Sequence, residues 1–215
     1  MTMRIPIPMD DVLTLAQWLS PAYPIGAFAY AHGLEQAVAD GRVIDPASLE
    51  AWLRDVLEHG SGWSDAVLLA AAYRGDAEAD TTARAFATGE GRLTETLEQG
   101  AAFARITAAV WKTDPAVMAL PVAIGRAAAA RGIPLSLTLA MTLQSTITNL
   151  VSAAQRLAPI GQTAAQEIVY QLSARARDVA LRAEQSTLGD LSSVAWMSDI
   201  ASMRHESKPV KVFRT

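Results

Sequence analysis

Cysteine is absent from this chain of 215 residues, and histidine occurs only three times. Without cysteine there can be no disulfide, no thiolate metal site and no cysteine nucleophile. The histidines, His32, His59 and His205, are far apart in the sequence. None of them forms the i,i+4 pair that places two imidazoles on one helical face. The sequence therefore predicts no metal site built by this chain, and no other cofactor.

Nucleotide-binding and hydrolase motifs are also missing. The sequence has no GxxxxGK[ST] loop, no GxGxxG turn and no GxSxG elbow, which are the usual marks of phosphate cradles and serine nucleophiles. His205-Glu206 begins like a zincin motif, but no second histidine follows it. We therefore predict that the chain is not an enzyme. A helical metal-dependent hydrolase stays open as an alternative, because scattered carboxylates can still meet in space.

Long apolar runs and a concentrated basic face are lacking as well. Runs such as Ile133–Leu143 are shorter than the roughly 18 residues that a membrane-spanning helix needs. The first ten residues lack the apolar stretch of a secretory signal, so the cytoplasm is the expected compartment. Residues 1–100 carry 15 acidic against 6 basic side chains, which argues against nucleic-acid binding and favours protein partners.

Alanine and helical periodicity are what the chain has in abundance. Hydrophobic residues make up 51% of it, and successive helical patterns end at glycine or proline. Predicted helices cover residues 10–19, 29–40, 46–59, 64–74, 77–88, 93–112, 115–131 with a kink at Pro121, 135–157 and 162–184, with a short one ending at Met203. The fold prediction is all-α: a single-domain bundle of about nine to ten helices over residues 1–203, with a flexible basic C-terminal tail.

That tail, Arg204–Thr215, carries three net positive charges, a proline and one large aromatic, Phe213. Such a segment buries too little apolar surface to offset the entropy of ordering it. We therefore expect the tail to stay apart from the core and to become ordered on a partner.

One polar stripe stands out inside an apolar segment. Buried polar groups need partners, so two interpretations are open. In the first, the stripe faces solvent or forms hydrogen bonds across a pair of helices. In the second, it lines a wet interior path, meaning a water-filled one, or a dimer seam, meaning the interface between two copies. Its members are Gln144, Ser145, Thr148, Asn149, Ser152 and Gln155.

The segment Leu19–Glu35, LSPAYPIGAFAYAHGLE, resembles the N-terminal signature of the urease accessory protein F family. Further blocks follow in the family's order: AAFAR at 101–105, PIGQ at 159–162, SMRHE at 202–206 and the final Phe213-Arg214. Two features depart from the family pattern. Ala27 stands where many members have a second glycine, and Ser207–Lys211 replaces a Thr-Gln-Tyr-like stretch.

The resemblance implies an all-helical homodimer that acts in urease maturation without catalysis of its own. Its implied partners are the D-type accessory protein, also called H-type, the nickel-carrying accessory GTPase, and apo-urease, into which nickel is inserted. A helical interaction module unrelated to urease is the second alternative.

Each residue of the N-terminal signature has its own expected role. Pro21, Pro24 and Gly26 are expected to fix the shape of a loop. A glycine within a helix costs about 1 kcal/mol relative to alanine, so Gly33 predicts a close backbone approach. Around Gly33 in the sequence stand Tyr30, His32 and Glu35. Two roles are open for these side chains: packing in the core, or contact with a partner protein. Partner contact is predicted for Arg204, His205, Phe213 and Arg214.

Overall fold

The computed structural model describes residues 8–214; residues 1–7 and Thr215, parts of the predicted domain and tail, lie outside the described residues. The described residues form ten α-helices: α1 (Met9–Trp18), α2 (Leu34–Ala39), α3 (Pro46–His59), α4 (Ser61–Tyr73), α5 (Ala79–Ala85), α6 (Glu90–Trp111), α7 (Leu120–Arg131), α8 (Leu135–Leu157), α9 (Gln162–Gln185) and α10 (Trp196–Glu206). Two short 3-10 helices cover Ala27–Ala29 and Leu188–Asp190. Residues 8–214 contain no strand, and their buried apolar side chains form one core. The predicted all-α, single-domain fold is confirmed.

Local capping sets the start of α3. The Ser48 amide donates to Asp45 Oδ1 at 2.8 Å, and the Asp45 amide donates to Ser48 Oγ at 3.1 Å. This reciprocal pair satisfies two amides at the helix start, and Pro46 follows in the first turn, where it loses no helical hydrogen bond. The predicted helix start at Asp45-Pro46 is confirmed.

The most buried helix of the core is α4. Six consecutive residues from Val67 to Ala72 are buried on it, and it packs against α3, α5, α7, α8 and α9. Small side chains allow these helices to approach closely. A Cβ at Gly125 in α7 would collide with the carbonyl oxygen of Leu69 in α4. The high alanine content therefore reflects close helix packing.

The predicted helix over 29–40 is wrong in its first half. Tyr30 is extended, and His32 and Gly33 have φ values of +49° and +75°, so α2 begins only at Leu34. Gly33 thus precedes a helix instead of lying within one. A Cβ on Gly33 would lie 2.7 Å from Ser202 N and 2.9 Å from Ser198 O, so the predicted close approach is confirmed, and its partner is α10.

The predicted helix over 115–131 also begins later than expected. Residues 112–119 are irregular, and α7 starts at Leu120 with Pro121 in its first turn. Proline is tolerated in the first turn, because no intrahelical amide bond is lost there. Pro121 therefore starts a helix and does not kink one.

The expectation that the C-terminal segment stays apart from the core is wrong for the part that the structure describes. Arg204, His205 and Glu206 form the last turn of α10, so the predicted boundary after Met203 falls inside a helix. Phe213 is only 4% exposed and belongs to the hydrophobic core. The segment is held by one buried carboxylate, that of Glu35.

Within residues 8–214, none of the helices combines the length and the apolar character that crossing a bilayer requires.

Candidate functional site

Glu35 is the anchor of the C-terminal segment. Its side chain is 4% exposed and accepts hydrogen bonds from four donor groups, one of which, the Val212 amide, is shared between both oxygens. The donors are the Phe213 amide at 2.8 Å, the Val212 amide at 3.0 Å, Lys208 Nζ at 3.0 Å and His205 Nε2 at 3.1 Å. A buried carboxylate is stable only when its oxygens are fully bonded in this way. The acidic residue of α2 therefore orders a segment that lies some 170 residues further along the chain.

The pKa of Glu35 reflects these bonds. Burial alone would raise the pKa, but the hydrogen bonds from Phe213, Lys208, His205 and Val212 favour the charged form and lower it from 4.5 to about 2. A carboxyl group with a lowered folded-state pKa stabilises the fold above its unfolded-state pKa. That stability is lost as the pH falls from about 4.5 through about 2.

We therefore expect acid to erase the difference in stability between the wild-type chain and Glu35→Gln. Near neutral pH the wild-type chain should be more stable by about 2–3 kcal/mol, and the gap should shrink steadily as the pH falls from 4.5 to 2. Urea unfolding followed by circular dichroism at several pH values measures both chains. A gap that stays constant over this range would show that the Glu35 charge does not hold the segment.

His32 joins residues 19–33, the loop between α1 and α2 that we call the signature loop, to α4 and α6. Its Nδ1 lies 3.0 Å from Ser61 Oγ, and its Nε2 lies 2.9 Å from Glu95 Oε1. Glu95 is buried and also lies beside Arg92, which pairs with Asp65. Burial alone would lower the pKa of Arg92, but the carboxylates of Asp65 and Glu95 raise it. The loop is thus tied to a charged network inside the bundle.

Tyr30 and Arg214 meet on Glu98 of α6. Tyr30 OH donates to Glu98 Oε2 at 2.8 Å, and Arg214 Nη1 donates to the same oxygen at 2.7 Å. The Arg214 amide donates to the Ala29 carbonyl at 2.7 Å. The end of the chain therefore lies directly on the signature loop.

The loop before Tyr30 bends at Gly26. Gly26 has φ +74° with nothing close to an added Cβ, so a side chain is disfavoured by the backbone conformation alone. Its carbonyl accepts from the Ala29 amide at 3.0 Å and starts the 3-10 helix. Pro21 and Pro24 lie in the preceding turns, and their role in fixing this loop stays a prediction.

The structure brings all eight predicted partner residues into one region, between α2, α6 and α10. Gly33 packs on α10, Glu35 binds His205 and the segment with Phe213, and Tyr30 lies beside Arg214. Tyr30, Gly33, Glu35, His205 and Phe213 are buried, and His32 is half-buried. Arg204 and Arg214 have side chains that are 60% and 66% exposed. Contact with a partner stays a prediction for each of them.

An exposed apolar surface lies beside these residues, and sequence reasoning missed it. Trp196, Ile200 and Met203 are spaced i, i+4, i+7 on α10 and are 69%, 42% and 49% exposed. We call them the α10 apolar face. Val210 and Val212, a few residues further on, are exposed as well. The signal was present in the sequence, because this spacing places three large apolar side chains on one side of a helix.

The polar stripe of α8 has two kinds of surroundings. Ser145 Oγ donates to the Leu19 carbonyl at 2.8 Å, and Thr148 and Ser152 each donate to the carbonyl four residues earlier. Ser145 and Asn149 also line a central cavity of about 690 Å³, including its opening. Three members therefore bond to backbone carbonyls, and only Ser145 does so outside its own helix; the wet path and the dimer seam stay predictions.

Residues 8–214 contain no group of three or more His, Asp or Glu side chains arranged to hold a metal ion.

Comparison with known proteins gives consistent results along the whole chain. A sequence model of the UreF family matches residues 43–173. The urease accessory protein UreF of Roseobacter denitrificans is 49% identical over 218 residues, covering 100% of this chain and 98% of the relative. The UreF proteins of Ruegeria pomeroyi and Jannaschia sp. (strain CCS1) are 46% and 41% identical; each covers 95% of this chain, and the match spans 97% and 94% of their own lengths. The signature loop and the C-terminal segment lie outside residues 43–173, but the full-length relative spans both.

Proposed function

This chain belongs to the UreF family of urease accessory proteins, and on that premise we propose that it is a non-catalytic scaffold for nickel insertion into apo-urease. As a homodimer in the cytoplasm, it bridges the D-type (H-type) accessory protein and the nickel-carrying accessory GTPase. Nickel is the cargo of this assembly and not a resident cofactor of the chain.

The observation that carries this proposal is the α10 apolar face. Large exposed apolar side chains grouped on one helix mark interaction surfaces, because a monomer gains nothing by leaving them in water. Arg204 lies one residue after Met203 and is mostly exposed. Aromatic, methionine and arginine side chains are the types enriched in the energetically dominant part of protein interfaces. We assign this surface to the D-type accessory protein.

The bridging role is supported by what surrounds the α10 apolar face. The face is continuous with the segment that ends at Phe213 and Arg214, and this segment is bonded to the signature loop and to α6. A partner that binds α10 therefore sits on a part of the chain with rigid links to the rest of the bundle. The GTPase would then bind a different side of the same bundle.

Replacing Met203 with glutamate should weaken binding to the D-type accessory protein by at least about tenfold, which corresponds to about 1.4 kcal/mol. The reason is that a charge replaces apolar area at the C-terminal end of the α10 apolar face, next to Arg204. Co-purification of tagged chain with the D-type protein, followed by a titration, measures the effect.

The matched control is Leu181→Glu, which places the same charge at an exposed leucine of α9, 55% exposed. This variant should bind like the wild-type chain, and both variants should keep wild-type helix content. If Met203→Glu bound the D-type accessory protein as tightly as the wild-type chain does, the α10 apolar face would not be its binding surface. Failure of the wild-type chain to co-purify would remove the bridging proposal itself.

A further inference from the structure

The central cavity has a roof and a wall that come from different parts of the chain. The wall comes from α6 and α8, with Gln99, Thr142 and Asn149, and the roof comes from residues 25–32, including Tyr30 and His32. The signature loop is therefore the piece that separates this cavity from the C-terminal side of the molecule.

Two residues that line this cavity each carry a buried polar atom with no hydrogen-bond partner within the described chain. These atoms are Trp18 Nε1 and Thr142 Oγ1, and Trp18 is fully buried. Unpaired buried donors are rare and are usually satisfied by ordered water or a small polar solute. The cavity is therefore suited to polar contents, and the access of solutes to it depends on the roof.

The roof is held from outside by residues 207–214, which we call the C-terminal strap. The Arg214 amide is bonded to the Ala29 carbonyl, and the Arg214 guanidinium is bonded to Glu98, which also holds Tyr30. The Phe213 amide is bonded to Glu35, and its ring is buried in the core. The strap thus fixes both the middle of the roof and the helix that follows it.

The roof has a strained backbone at His32. A φ of +49° is uncommon for a residue with a side chain, and such a conformation persists only where its surroundings enforce it. Here the enforcing contacts are Ser61 and Glu95 on one side and α10 packed against Gly33 on the other. None of these contacts belongs to the strap, which acts on the roof through Ala29 and Tyr30, so release of the strap frees the part of the roof next to the strained residue.

We infer that the C-terminal strap is a closing device for the central cavity. While the strap is docked, the roof is held in place and Thr142 Oγ1 is buried, so solutes larger than water do not reach it. When the strap leaves, residues 25–32 loosen and the cavity opens; the bundle is less stable but stays folded, because the last turn of α10, with His205 and Glu206, remains in place. This inference concerns the chain by itself and does not rest on the scaffold role.

The absence of cysteine permits a direct test on the full chain, because one introduced thiol is the only thiol present. Thr142→Cys places a thiol of similar size on the cavity wall. Its rate of reaction with a neutral maleimide is measured with the strap intact and with Phe213→Ala, which removes the buried side chain of the strap. We expect at least about a tenfold faster reaction when Phe213 is replaced, because local opening then exposes the cavity.

Two control thiols make the result decisive. Ser152→Cys on the exposed side of α8 should react at the same rate in both backgrounds, and Ala70→Cys in the buried centre of α4 should stay unreactive in both. Glu35→Gln serves as a second release variant in place of Phe213→Ala. The inference is overturned if Thr142→Cys reacts as fast as Ser152→Cys with the strap intact, or if release leaves its rate unchanged. It is equally overturned if Ala70→Cys becomes reactive together with it, since the whole fold would then have opened.

Discussion

Alanine at position 100 should destabilise the fold by roughly 3–5 kcal/mol. Gly100 is buried in α6, where a Cβ would collide with the Met118 carbonyl oxygen and lie 2.9 Å from the Leu120 amide nitrogen. Both neighbours are backbone atoms, so no side chain can turn away. The Leu120 amide also donates to Thr96 Oγ1 at 3.1 Å, which fixes the start of α7 against α6. The gain in helix propensity, about 1 kcal/mol, is too small to offset this overlap.

Gly161→Ala is the matched control, because the same methyl group is added where nothing lies within 4 Å. Gly161 has φ −70°, which alanine adopts without strain, so its stability should change by no more than about 1 kcal/mol. Urea unfolding followed by circular dichroism compares the two variants. If Gly100→Ala were as stable as Gly161→Ala, the close approach of α6 to the segment before α7 would not exist in solution.

Helices with strong local signals were predictable from the sequence. The helices predicted over 46–59 and 162–184 depend on neighbours within a few residues, and α3 and α9 are found close to these bounds. Contacts that are distant in sequence account for the misplaced start of α2. His32 leaves the helical region because Ser61 and Glu95 hold its ring, and no pattern around residue 32 reports those partners.

In the candidate site, too, local features were predictable from the sequence and contacts distant in sequence were not. Gly33 predicted a close approach because it was placed within a helix, but its partner in α10 could come only from the structure. The basic character of the C-terminal segment argued for a free tail. That argument weighed the segment's own apolar surface and omitted a buried carboxylate in α2 as an acceptor for its amides. The helical spacing of Trp196, Ile200 and Met203 is visible in the sequence. The sequence analysis predicted only a short helix there and no exposed apolar face.

Truncation after Met203 should therefore destabilise the bundle by about 5 kcal/mol, or prevent it from folding at physiological temperature. The truncation removes the buried ring of Phe213, whose loss alone is worth about 3–5 kcal/mol. It also leaves the Glu35 carboxylate buried with none of its four donors, which adds the cost of an unpaired charge. Finally it removes Glu206, whose Oε1 accepts from the Gly91 amide at 2.8 Å at the start of α6. A tail that stayed apart from the core, as the sequence analysis expected, would instead leave the stability and helix content of the truncated chain unchanged.

Circular dichroism and urea unfolding of the truncated chain separate the two expectations. The control is Val210→Ser, which changes an apolar strap residue that is 77% exposed and should alter stability by less than about 0.5 kcal/mol. Because truncation is expected to remove the fold together with the strap, loss of D-type binding by this variant would not locate the interface; Met203→Glu serves that purpose. A truncated chain with wild-type stability would show that Glu35 does not depend on the strap, because a buried carboxylate stripped of its donors cannot leave the free energy of unfolding unchanged.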